Sequence, residues 1–150
     1  MSQSVVEHFL AIADAAPERP LIDFEGRTHA RGEVAAAVRR IANGLIARDV
    51  SPGDRVALFL GTCAEFPSLW LGVQLARAVG VPINTAYREV ELRHLLLHSG
   101  ARVLFTDRAG LAHVLPLLPG LPALQHIVCV DASGPEAGAL PAQVTLSTLA

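Results

Sequence analysis

Apolar residues recur along the chain in two rhythms. Val5, Phe9 and Ile12 fall three and four apart, the spacing of one helical face, which predicts a helix over about residues 4–15. Ser4 with Glu7 is a capping box at its start, and Pro17 and Pro20 end it. Residues 21–24 and 27–30 then read as two strands about a Glu25-Gly26 turn, where Gly26 supplies the positive φ of a tight hairpin. From Gly32 the helical rhythm returns: Val34, Val38, Ile41 and Leu45 form a stripe, stopped by the turn at Ser51 to Asp54.

Beyond Arg55 the pattern alternates between element types. Residues 55–60 form a run with little polar alternation, as in a strand buried on both faces. A helix follows whose stripe is Phe66, Leu69, Trp70 and Val73. Thr62 with Glu65 offers a second capping box, and Pro67 allows a kink or a delayed start. Short strands are expected at 81–84, 102–106 and 126–130, the last the final clear strand. Helices are expected at 89–98, with Gly100 as a left-handed cap, and at 109–115. Residues 131–150 read as a loop or tail. Strands alternating with helices over short loops predict an α/β fold. It is a partial doubly wound parallel sheet with helices on both faces, preceded by an N-terminal helix and a β-hairpin.

Composition narrows the function. With 51% hydrophobic and 17% charged residues, the chain is a folded globular one. A net charge of −2 argues against nucleic acid or an anionic membrane as a partner. Residues 111–124 are apolar but broken by Pro116, Pro119 and Pro122, and no run reaches the roughly 18 residues of a membrane span. Without a signal peptide, a cytoplasmic protein is expected. All 12 basic residues are arginine, so a phosphate loop built around lysine has no candidate.

Several groups carry chemistry in principle. Glu91, His94 and His98 share a helical face and are metal-ligand types, but without a second cluster they read as a solvated face. Asp107 ends a strand, where dinucleotide-binding folds place a ribose-binding acid, yet no G-x-G-x-x-G accompanies it. Gly134 to Gly138 contains Pro135 and Glu136, which suit a loop better than a phosphate cradle. No G-x-S-x-G elbow presents a serine nucleophile. Cys63 and Cys129, far apart and in no C-x-x-C motif, read as packed thiols.

The order of short motifs is similar to that of the adenylate-forming superfamily. Gly53-Asp54-Arg55-Val56-Ala57 is followed by Ala64-Glu65-Phe66, Trp70-Leu71-Gly72 and Val81 to Arg88. Glu91 to Leu96 and Ser99 to Leu104 complete the series. Over about residues 4–130 the chain resembles the N-terminal region of an acyl-CoA synthetase. Such enzymes use ATP and Mg²⁺ to turn a carboxylate into an acyl-adenylate, then pass the acyl group to CoA. The resemblance implies that residues 1–150 are an incomplete N-terminal lobe, a wall of the adenylation domain, with 131–150 leading towards a phosphate loop beyond. It carries over no catalytic, cofactor-binding or metal-binding residue, and implies no ligase activity in the chain alone. The implied partner is the remainder of the adenylation domain or a downstream ligase fragment. A bare apolar face also implies self-association, as in a homodimer. The alternatives are a free-standing, non-catalytic interaction protein derived from that lobe and, with less support, a small nucleotide-binding module.

Three glycines customary in that family are replaced here, by Asp49, Arg77 and Glu89, and Arg31 replaces an aromatic. A side chain kept where the backbone wants positive φ costs about 1 kcal/mol.

Overall fold

The computed structural model describes residues 4–131 and 144–149. The element order is α1 (Val5–Ala15), β1 (Pro20–Phe24), β2 (Arg27–Ala30), α2 (Arg31–Ile46), β3 (Arg55–Phe59), α3 (Phe66–Leu75) and β4 (Val79–Pro82). Then come α4 (Glu89–Ser99), β5 (Val103–Thr106), α5 (Arg108–Val114), a 3₁₀ turn (Leu115–Gly120), β6 (His126–Cys129) and β7 (Thr145–Thr148). This is an α/β fold: a five-stranded parallel sheet flanked by helices, preceded by an N-terminal helix and an antiparallel hairpin. Among the described residues no helix is long and apolar enough to cross a membrane. The chain divides into two compact units, one of residues 1–52 and 62–78, the other of residues 53–61 and 79–150.

The first unit holds α1, the hairpin, α2 and α3. Ser4 caps α1 as its sequence predicts: its hydroxyl accepts from the Glu7 amide, and the Glu7 carboxylate accepts from the Ser4 amide. The buried face, however, is Val6 and Ala13, with Phe9 and Leu10 packed alongside, while Val5 and Ile12 are exposed. Two stripes compete on this short helix, sharing Phe9, and the core of Val6, Val34 and Val38 selects the one rotated by a residue. In the hairpin Glu25 and Gly26 both take positive φ, 46° and 79°. That pairing matches the right-handed twist of the flanking strands. The predicted stripe of α2 is buried throughout. Helix α3 begins only at Phe66, with Pro67 in its first turn, and Glu65 makes no side-chain cap, so the Thr62 box does not form. The proline ring suits the first helical turn and fixes the start there. Buried Ser68 and Gly72 join Leu69 and Val73 on its inner face, whereas Phe66 and Trp70 are only half-buried. A Cβ on Gly72 would come within 2.7 Å of the Ile41 Cβ, so glycine sets how closely α3 approaches α2.

Both α2 and α3 end in the same six-residue motif. The Val50 amide donates to the Leu45 carbonyl and Asp49 to Ile46; Ala78 donates to Val73 and Arg77 to Gln74. The residue before each buried Val50 or Ala78 must then be left-handed. Asp49 has φ 57° and Arg77 has φ 60°. The third replaced glycine, Glu89, opens α4 in ordinary helical geometry and carries no such strain. Arg77→Gly is therefore expected to stabilise the protein by about 1 kcal/mol, with a smaller gain for Asp49→Gly because aspartate tolerates this region better. Urea unfolding of the two variants beside the parent measures this.

In the second unit the strand order is β4-β3-β5-β6-β7, every neighbour parallel. β7 is a strand the apolar pattern does not announce. It adds to β6 at residues 145–148, inside the stretch read from sequence as loop; residues 132–143, including Gly134 to Gly138, lie outside the described residues. Ala57, Phe59, Leu104 and Ile127 form a core with Leu92 and Leu96 of α4 and with Leu111, Val114 and Leu117. Val56 and Leu58, which alternate with Ala57 and Phe59, are equally buried, as the unbroken apolar run of β3 requires. Gly100 caps α4 at φ 61°.

Candidate functional site

In open parallel α/β sheets ligands bind outside the carboxyl ends of the strands. Here that edge is formed by Gly61 after β3, Asn84 to Arg88 after β4, Asp107 after β5 and Asp131 after β6. Four polar side chains at it, those of Asn84, Arg88, Asp107 and Asp131, are engaged by neighbouring backbone groups. Thr106, fully buried, donates its hydroxyl to the Phe59 carbonyl at 2.7 Å and ties the last residues of β5 and β3 together. Asp107 continues the connection: one carboxylate oxygen accepts from the Gly61 amide at 2.9 Å, the other from the Gly110 amide at 2.7 Å. The second bond is the N-cap of α5. Asp107 is thus a clamp between two strand ends and a helix start, with both oxygens committed, and is not placed as a ribose acceptor. Asp131 accepts from the Arg108 amide at 3.1 Å.

The loop after β4 is closed upon itself. The Asn84 carboxamide oxygen accepts from the Ala86 amide at 2.9 Å, and the Tyr87 amide donates to the Asn84 carbonyl at 3.0 Å. Asn84 thus shapes this turn. The Arg88 guanidinium donates to the Thr85 and Tyr87 carbonyls, at 2.8 and 2.9 Å, so it braces the loop's own backbone.

The motif residues Asp54 and Arg55 lie at the opposite, amino end of the strands. Arg102 donates to the Asp54 carboxylate at 2.8 Å and to the Gln125 side chain at 2.8 Å, while Arg55 donates to the Ser99 carbonyl at 2.7 Å. This partly buried network fixes where β3 and β5 start. Its role is architectural.

Neither cysteine is a ready nucleophile. Burial pushes the Cys63 thiol up to about 11, with the Glu65 carboxylate adding to the rise, and burial also raises Cys129. A thiol held protonated is a poor nucleophile. Glu91, His94 and His98 lie on the exposed side of α4, and among the described residues no three His, Cys, Asp or Glu side chains gather around one point. Among the described residues the first unit has open cavities. One of about 420 Å³ lies between the ends of α2 and α3, beside Asp49 and Arg77. One of about 250 Å³ is lined by Arg27, His29, Glu33, Arg40 and Glu65. In the smaller one Arg27 and His29 already pair with Glu33.

Comparison with known proteins decides the ancestry. The AMP-binding enzyme family matches residues 9–147. The chain belongs to that family. A medium-chain fatty-acid–CoA ligase of Escherichia coli is 30% identical over 143 residues, covering 91% of this chain and 25% of the ligase. A long-chain-fatty-acid–CoA ligase of Mycobacterium bovis is 34% identical over 134 residues, 89% of this chain and 22% of that enzyme. Coronafacic acid ligase from Pectobacterium brasiliense superposes with a TM-score of 0.87 at 17% identity, over 98% of this chain and 28% of the ligase. At that identity the likeness establishes the fold. The chain thus spans about a quarter of the length of these AMP-binding enzymes.

The carboxyl edge presents two aspartates, Asp107 and Asp131, whose carboxylates serve as acceptors for backbone amides, and the sequence offers no lysine. Phosphates are held by converging free amides and cations. The clamp of Asp107 escaped sequence reading, which weighed that residue only as a ribose acceptor. An aspartate just before an expected helix announces an N-cap, but its second partner, Gly61, is 46 residues away.

Proposed function

We propose that the chain is the N-terminal lobe of an ATP-dependent acyl-CoA ligase, residues 1–150 forming an incomplete part of its adenylation domain. The complete reaction converts a carboxylate, ATP and CoA to an acyl-CoA, AMP and pyrophosphate. In this reading the lobe is a structural wall, and ATP, Mg²⁺ and CoA are held by segments beyond it, with residues 131–150 leading towards the phosphate loop. The partner is the remainder of the adenylation domain, and the setting is fatty-acid metabolism in the cytoplasm. One observation carries the reading: at the carboxyl edge of the sheet Asn84, Arg88, Asp107 and Asp131 are bonded to the edge's own backbone, as suits a support for a site whose chemistry comes from elsewhere.

A chimaera tests the proposal. Residues 1–150 replace the matching segment of the Escherichia coli medium-chain ligase, to which they are 30% identical. A functional lobe gives a soluble chimaera that still releases pyrophosphate from ATP with a fatty acid. A soluble, folded chimaera with no pyrophosphate release would contradict it.

A further inference from the structure

We propose that His94 and His98 on α4 form a bidentate site for a divalent transition-metal ion, copper(II) most tightly and zinc(II) less so. The two residues are one helical turn apart, so both rings leave the same face. In the structure their centroids are 5.6 Å apart and their planes differ by 7°. A tetrahedral ion takes imidazole nitrogens at about 2.0–2.1 Å, which puts the centroids of two ligating rings roughly 5 Å apart. The pair is therefore within an ångström of the separation a chelate needs. Both side chains are exposed, so turning the rings to bring their nitrogens onto one ion disturbs no core contact.

Glu89 and Glu91 lie in the first turn of the same helix, and Arg93 is drawn to Glu89 at 3.0 Å. Glu91 accepts from the Arg88 amide in the cap of α4 and is not gathered to the histidines. Water completes the coordination, so the ion is exchangeable, and the affinity order follows the general preference of nitrogen ligands for copper(II). Sequence alone leaves these histidines a solvated face. The rings are stacked, so each must turn to bring a nitrogen onto a shared ion; what the structure adds is that both are exposed and already near a chelating separation.

The test titrates the untagged chain with copper(II) sulfate and, separately, zinc(II) sulfate, followed by calorimetry and by electron paramagnetic resonance of the copper form. One ion per chain, with a signal from two equatorial nitrogens, is expected. His94→Ala and His98→Ala should each weaken binding about tenfold or more, the scale on which even supporting groups of metal sites act. His113→Ala, an exposed histidine on α5, should leave it unchanged. All three variants should keep the parent's circular dichroism. Binding unaffected by either α4 substitution, or absent from the folded parent, would overturn the proposal.

Discussion

Gly110→Ala is expected to destabilise the second unit by about 3 kcal/mol or more, large against the 5–15 kcal/mol typical of a whole domain. Gly110 lies in the first turn of α5, where an added Cβ would fall 2.8 Å from the Phe59 carbonyl oxygen and 3.0 Å from the Phe59 ring. It would also strike the Thr106 hydroxyl, which cannot retreat without giving up its bond to the Phe59 carbonyl. Neither the backbone nor a buried hydrogen bond can yield cheaply. Gly44 in α2 supplies the control: its added Cβ meets nothing nearer than the Arg48 guanidinium at 3.4 Å, an ordinary contact with the end of a flexible side chain. Gly44→Ala should therefore stabilise, by up to about 1 kcal/mol of helix propensity. Urea denaturation of both variants reads the contrast directly. A near-neutral Gly110→Ala would mean that α5 does not seat on β3 and β5 as described.

Asp107→Ala is expected to cost about 2–4 kcal/mol. It removes an N-cap worth about 0.5–2 kcal/mol and a second charge-assisted bond, worth about 1.5–3 kcal/mol, to the Gly61 amide. Asp107→Asn separates the two. An amide has one accepting oxygen, so it can satisfy Gly110 or Gly61 but not both, and its NH₂ would face an N–H. A loss of about 1–2 kcal/mol is expected for asparagine, between parent and alanine. If asparagine matched the parent, the link to Gly61 would contribute nothing and Asp107 would be a simple helix cap.

The limits of sequence reading lie in particular residues. The core strands were legible because β3, β5 and β6 are unbroken apolar runs, and the hairpin because Gly26 stands between two short β-type segments. The replaced glycines were legible in part: Asp49 and Arg77 do take positive φ, because buried Val50 and Ala78 lock the motif that demands it. Glu89 does not, since a helix start makes no such demand. Other features depend on partners distant in sequence. Which face of α1 is buried is settled by Val34 and Val38 of α2, not by α1's own spacing. β7 carries only Leu146 among polar residues, and its pairing with β6 alone makes it a strand. The candidate edge follows the same rule. Asn84's turn is local and was readable, whereas the Asp107–Gly61 bond exists only once β3 and β5 are parallel neighbours.

The proposed role, a wall of an adenylation site that supplies none of its chemistry, leaves the isolated chain without ligase activity. Pyrophosphate release by the purified chain, with ATP, Mg²⁺, CoA and a panel of fatty and aromatic acids, tests it most directly. Adenylation needs preorganised positive charge at the transferring phosphates, and the polar groups of this sheet edge are turned to its own backbone. The rate should equal that of a boiled control with every acid. Acid-dependent pyrophosphate release that survives repurification and falls with Asp107→Ala would contradict the account.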